Sequence, residues 1–151
     1  MYAWKPGARV RTDANIAGMI CEQMAKDGRL SSENLVEDSR PETAPLHGEF
    51  TWDDSVAAEQ WRKEEARHII SHIEIQIETA PPVQAFVKLT QAEPIYRETN
   101  AVIKTVDGRK ILLENAYREL LSFQRKYAAL NEFANVFDAI NQISIEPLKA
   151  S

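Results

Sequence analysis

The chain has 151 residues, 44% of them apolar and 27% charged, with a formal net charge of -5. That length suits one ordinary domain, and that balance belongs to a globular rather than a disordered chain. An acidic total argues against a generic nucleic-acid binder. With Cys21 as the one cysteine, no intrachain disulfide can form, and no apolar run approaches the roughly 20 residues of a membrane span, so a cytoplasmic protein without a membrane partner is expected.

Residues 1–12 read as an extended arm, with Pro6 and Gly7 opposing regular structure. A first helix is expected from about Ala14 to Lys26, capped by Thr12 or Asp13, with Ile16, Met19, Ile20 and Met24 as its buried stripe. Asp27-Gly28 ends it, because glycine tolerates the left-handed cap. Ser31 caps a short second helix, Leu30 and Leu35 stand at the spacing of a hydrophobic staple, and Pro41 stops the helix by Arg40. The outline is that of a helix-turn-helix. Glu33, Glu37 and Asp38 make its second helix a poor occupant of a major groove.

Residues 41–50 form a proline-broken connector whose Leu46 and Phe50 should tuck under the core. Thr51 is expected to cap a third helix, with Asp53 and Asp54 in its first turn. That helix should run to about Ser71, with Val56, Ala57, Trp61, Ile69 and Ile70 as its apolar side. The period then changes from helical to alternating. Ile73, Ile75 and Ile77 share one face of a strand over about 72–79, and Val83, Ala85, Val87 and Leu89 repeat the pattern after Pro81-Pro82. A short turn between two such strands predicts an antiparallel hairpin, and a third strand is expected near Ile95–Ile103.

Asp107-Gly108 resembles a hairpin turn, but the strongly helical sequence after it favours a helix start. Leu112, Ala116, Leu120, Phe123, Tyr127, Leu130, Ala134 and Phe137 recur at spacings of three and four, close to a heptad seam. The helix runs from about 109 to 143, unbroken or restarting at Asn131. The expected fold is α+β in a single domain over 1–151. An arm (1–12) and a helical part (13–71) precede a small antiparallel sheet of two to three strands (about 72–103, within a segment ending at 106). A long helix or helix pair (107–145) follows.

Glu65, His68 and His72 have the spacing of helical metal ligands. However, Ile69 stands where a zinc protease carries glutamate, and the second Glu-x-x-His segment of a di-iron site is absent, so surface histidines are the stronger reading. Cys21 reads as a core or boundary cysteine rather than a nucleophile, and Asp53-Asp54 as capping acids. With five glycines and no phosphate loop or dinucleotide fingerprint, no cofactor is expected. Arg109, Lys110, Arg118, Arg125 and Lys126 are the candidates for contact with nucleic acid or an acidic partner, assisted by Lys5, Arg9 and Arg11 of the arm. The plainer alternative is a solvated face balanced by Glu114 and Glu119. Leu113, Tyr117, Leu121 and Tyr127 widen the apolar arc beyond one stripe and are the candidates for self-association into a homo-oligomer.

The segments SRPETAPLHGEFTWDDSVAAEQWRKEEARHII (39–70) and NAYRELLSFQRKYAAL (115–130) resemble a group of uncharacterised small phage and prophage proteins. Those proteins share a helical N-terminus, an "SPLH…F.WDD…A" block and a similar late helix. The likeness spans roughly Ala14 to Ile143, and Ala44 stands where serine is expected before Pro45. It implies a bacterial or viral setting and an accessory role, and it transfers no catalytic or binding residue. The expectation is a non-enzymatic accessory protein that binds nucleic acid or a protein partner as an oligomer. One alternative is a component of the particle or packaging machinery that docks through the long helix and a Trp52/Trp61 surface. Another is a metal-dependent enzyme using Glu65, His68 and His72.

Overall fold

The computed structural model describes residues 1–52 and 56–143. Asp53, Asp54, the side chains of Val56 and Ala57, and the tail from 144 lie outside the described residues. The fold is α+β, and the chain divides into two compact units, Met1–Val102 and Ile103–Ser151.

Strand β1 (Tyr2–Trp4) comes from the segment expected to be an unpaired arm. It pairs antiparallel with β2 (Ile73–Ile75), with Ala3 opposite Glu74, and β2 pairs with β3 (Val83–Gln84), giving the order β1-β2-β3. Pro6 and Gly7 interrupt the chain only after Trp4. The expected hairpin is therefore present, but the strand that completes its sheet is the N-terminal one. β4 (Phe86–Val87) and β5 (Arg97–Glu98) form a separate antiparallel pair. The third strand expected near 95–103 shrinks to Arg97–Glu98, because the chain turns at once into α4 (Thr99–Ile103). Since the chain changes sheets between Gln84 and Phe86, alternation fails there: Ala85 and Phe86 are both buried and Val83 is exposed.

Helix α1 (Ala14–Lys26) has the expected bounds. The Asp13 carboxylate accepts from the N–H groups of Asn15 and Ile16. At the other end Gly28, at φ +71°, donates to Ala25 O and Arg29 to Met24 O, the double bond that closes a helix with a left-handed residue. Its buried face differs from expectation. Ala14, Ala17, Gly18, Cys21 and Met24 point inward, while Ile16 and Met19 are exposed. The reason is Tyr2, whose ring packs against Gly18 and admits only small residues on that side.

Helix α2 (Ser32–Asp38) starts on Ser31, whose hydroxyl accepts from Asn34 N–H at 3.0 Å, and the stapling residues Leu30 and Leu35 are both fully buried. Leu46 and Phe50 join the core as expected, on either side of a 3-10 turn at His47–Glu49. Helix α3 (Val56–Ser71) turns Ala58, Arg62, Ala66, Ile69 and Ile70 inward, and Trp61 is exposed rather than buried. Fully buried Leu30, Leu35, Leu46, Ile69, Ile70, Ile73 and Phe86 form the centre, each contributing about 1.5–3 kcal/mol by leaving water. The Thr51 hydroxyl and N–H donate to Glu65, and the described helix opens five residues later.

The C-terminal unit holds α5 (Val106–Tyr127), a 3-10 turn at Asn131–Phe133, and α6 (Ala134–Asn141). Asp107 lies in the first turn of α5, whose Thr105 hydroxyl accepts from Gly108 N–H at 3.0 Å. Of the two expected forms, the helix restarts at Asn131 rather than running unbroken to 143. Among the described residues no helix is long and apolar enough to cross a membrane.

Candidate functional site

The seam read from the sequence splits at this break. Phe123 meets Phe133 and Phe137, with ring centroids 5.9 and 6.1 Å apart, and Gln124 donates to Asn141 Oδ1, so α6 folds back along the end of α5. That contact absorbs little of the apolar surface. Among the described residues of this unit, Ile140 is the one fully covered apolar side chain.

What stays uncovered is ordered. Val106, Leu113, Leu120 and Tyr127 are 87, 43, 36 and 36% exposed, and each stands seven residues from the next. On an α-helix that step drifts by only about 20°, so the four make one slowly winding stripe along roughly 33 Å of α5. Of the expected self-association residues, Leu113 and Tyr127 lie on this stripe, while Tyr117 and Leu121 are half-buried beside it. Leu120 belongs to the seam read from the sequence, and Val106 is the member that reading leaves out. The signal was the seven-residue interval itself, extended back to a position before the expected helix start.

The five basic candidates of α5 are all exposed. Arg118 lies 3.9 Å from Glu114 and donates to Asn115 Oδ1; Lys126 sits 5.3 Å over the Tyr127 ring. Arg109, Lys110, Arg125 and Lys126 have no carboxylate partner among the described residues. They do not form one strip. Arg118 and Arg125 share a face roughly 150° around the helix from Leu120, and Arg109 and Lys110 lie elsewhere on its circumference. The charge of the unit is nearly balanced, with seven bases and six acids over 103–151.

In the N-terminal unit, a cavity of about 500 Å³ lies between residues 9–10, Glu49 and the outer side of α3, where Trp61, Glu64, Glu65, Arg67 and His68 line it. Its groups are largely engaged. Glu49 accepts from the N–H groups of Arg11 and Thr12 and from the Thr12 hydroxyl, Glu65 accepts from Thr51, and Glu64 pairs with Arg67. The metal trio is not assembled. Glu65 is turned to Thr51, His68 Nε2 accepts the Arg9 N–H at 2.9 Å, and His72 Nδ1 bonds to His68 O at 2.7 Å. Among the described residues no group of three or more potential ligands converges on one point. Trp52 and Trp61 have different surroundings. Trp52 is stacked on His47 and flanked by the guanidinium groups of Arg40 and Arg62, whereas Trp61 faces the cavity. Cys21 is fully buried, and burial pushes its thiol up to about 12, the opposite of what a nucleophile needs.

Comparison of the chain with protein-family models, with curated proteins and with solved structures finds no match.

Proposed function

We propose that the chain is a non-enzymatic binding protein that works as an oligomer, with α5 meeting the same helix of a second copy. One observation carries this reading: the exposed run Val106, Leu113, Leu120, Tyr127 at intervals of seven. Seven is the repeat that two helices share when they wind around each other, and an identical helix supplies a matching one. A segment of this size with a single covered apolar side chain among its described residues also has too little core of its own. The test is sedimentation of the wild type beside Leu113→Glu/Leu120→Glu. The wild type is expected to be a dimer or larger at micromolar concentration, and the variant a monomer with unchanged helical circular dichroism. A wild type that stays monomeric at high concentration ends the proposal.

A second reading adds nucleic acid or an acidic protein as the ligand of that oligomer. Its support is the placement of Arg118 and Arg125 away from the stripe, so that pairing through α5 leaves both accessible. Lys110 and Lys126, off the stripe, would add contacts, whereas Arg109 lies on the stripe side of the helix; affinity would fall steeply with salt. Lack of retention on duplex and single strands at low salt removes this version. The phage or prophage setting, whether accessory or as part of a particle, rests on the resemblance of segments 39–70 and 115–130.

A further inference from the structure

The cavity beside α3 offers little to a ligand, since its carboxylates are already bonded, but it contains a hydrogen bond that only one protonation state permits. His68 Nε2 accepts from the backbone N–H of Arg9, so its proton sits on Nδ1 and the ring is neutral. His72 Nδ1 lies 2.7 Å from the His68 carbonyl, which can only accept, so His72 carries its proton there. The two rings are stacked at 4.0 Å.

We infer that His68 is a pH-operated latch: neutral, it holds the backbone of Arg9 beside α3, and protonated, it releases that residue while Arg11 and Thr12 stay bonded to Glu49. An imidazolium has no lone pair with which to accept, and it would face the charge of Arg9 as well as the His72 ring. The other charged groups around it are Glu49 from the 3-10 turn, and Glu64, Glu65 and Arg67 on its own helix. Glu64 is paired with Arg67, and Glu49 and Glu65, which keep their charge, are turned to the N–H and hydroxyl groups of Arg11, Thr12 and Thr51, so none of the three carboxylates is bonded to the His68 ring among the described residues. Burial first, then His72 and Arg9, hold the His68 ring below the ordinary imidazole range. Arg11 and Thr12 are held separately by Glu49, the Thr12 carbonyl accepts from Trp4 Nε1, and Lys5 N–H donates to His72 O at the end of α3. Release therefore begins at Arg9 and leaves β1 in place.

Amide hydrogen exchange tests this in the full chain, with the core amide of Ala85, bonded to Ile73 O, as reference. Between about pH 7.5 and about 5 the protection of the Arg9 amide is expected to fall roughly tenfold or more, the equivalent of one lost hydrogen bond, while Ala85 is unchanged. In His68→Gln, whose carboxamide oxygen accepts at every pH, the Arg9 response should disappear. In His72→Gln it should move to higher pH. A wild type whose Arg9 protection is constant, a response that persists in His68→Gln, or simultaneous loss at Ala85 overturns the latch.

Discussion

Gly18 lies where a side chain would strike Tyr2: a Cβ built on it would stand 2.2 Å from Tyr2 Cγ and 2.3 Å from Cδ2. The aromatic ring thus uses the missing side chain as its seat, and it also stacks on Phe86 at 6.1 Å. Gly18→Ala gains about 1 kcal/mol of helix propensity but forces a ring tied to a paired strand to move, a cost of about 1–3 kcal/mol or more. Net destabilisation in urea is expected. In a Tyr2→Ala background the same change should be neutral or stabilising, and equal effects in both backgrounds would refute the contact.

Alkaline stability follows from two groups that the fold keeps protonated. The Tyr2 hydroxyl is raised by burial and by its bond to Glu22, and the buried Cys21 thiol is pushed up to about 12. Unfolded, these groups ionise at about 10 and about 8.5. Their contribution is therefore complete below about pH 8 and is lost progressively as pH rises from those unfolded values toward the raised folded ones. The melting temperature should fall from pH 8 to 11, with Cys21→Ala removing the earlier part of the loss and Tyr2→Phe the later part. A thiol reagent should modify Cys21 only as fast as the chain opens.

Arg62 is nearly buried, yet it is a cation. Its guanidinium binds Glu59, donates to Thr51 O at 3.0 Å and lies 5.3 Å from the Trp52 ring. Planarity is needed to serve all three at once, so Arg62→Lys should fail to hold them. Its melting temperature is expected to drop further than that of Arg40→Ala, the more exposed cation beside the same ring. Equal stability of Arg62→Lys and wild type would show that charge alone suffices.

Local chemistry made much of this fold legible. Asp13, Gly28 and Ser31 mark helix ends because caps act within a few residues, and Leu30 with Leu35 needs no distant partner. Two features were hidden. β1 is three residues long, too short for a period, and its partner lies some seventy residues away. The inward face of α1 was misassigned because its larger apolar residues, Ile16 and Met19, outweigh Ala14, Ala17 and Gly18 on any reading of the helix by itself. The site divides the same way. The repeat on α5 is a property of one helix and could be read, although Val106 fell before its expected start. The link from Arg9 to His68 joins positions 59 apart and leaves no trace in either neighbourhood.

The long reach from β1 to β2 also sets an order of events. Tyr2–Trp4 find no sheet until Ile73–Ile75 have been made and positioned, so the ring that seats on Gly18 must wait for a stretch far along the chain. Closing so large a loop is slow compared with forming α1 or α2. Residues 2–4 thus dock only after residues 73–75 have been made, and a chain interrupted before residue 73 would leave them unpaired.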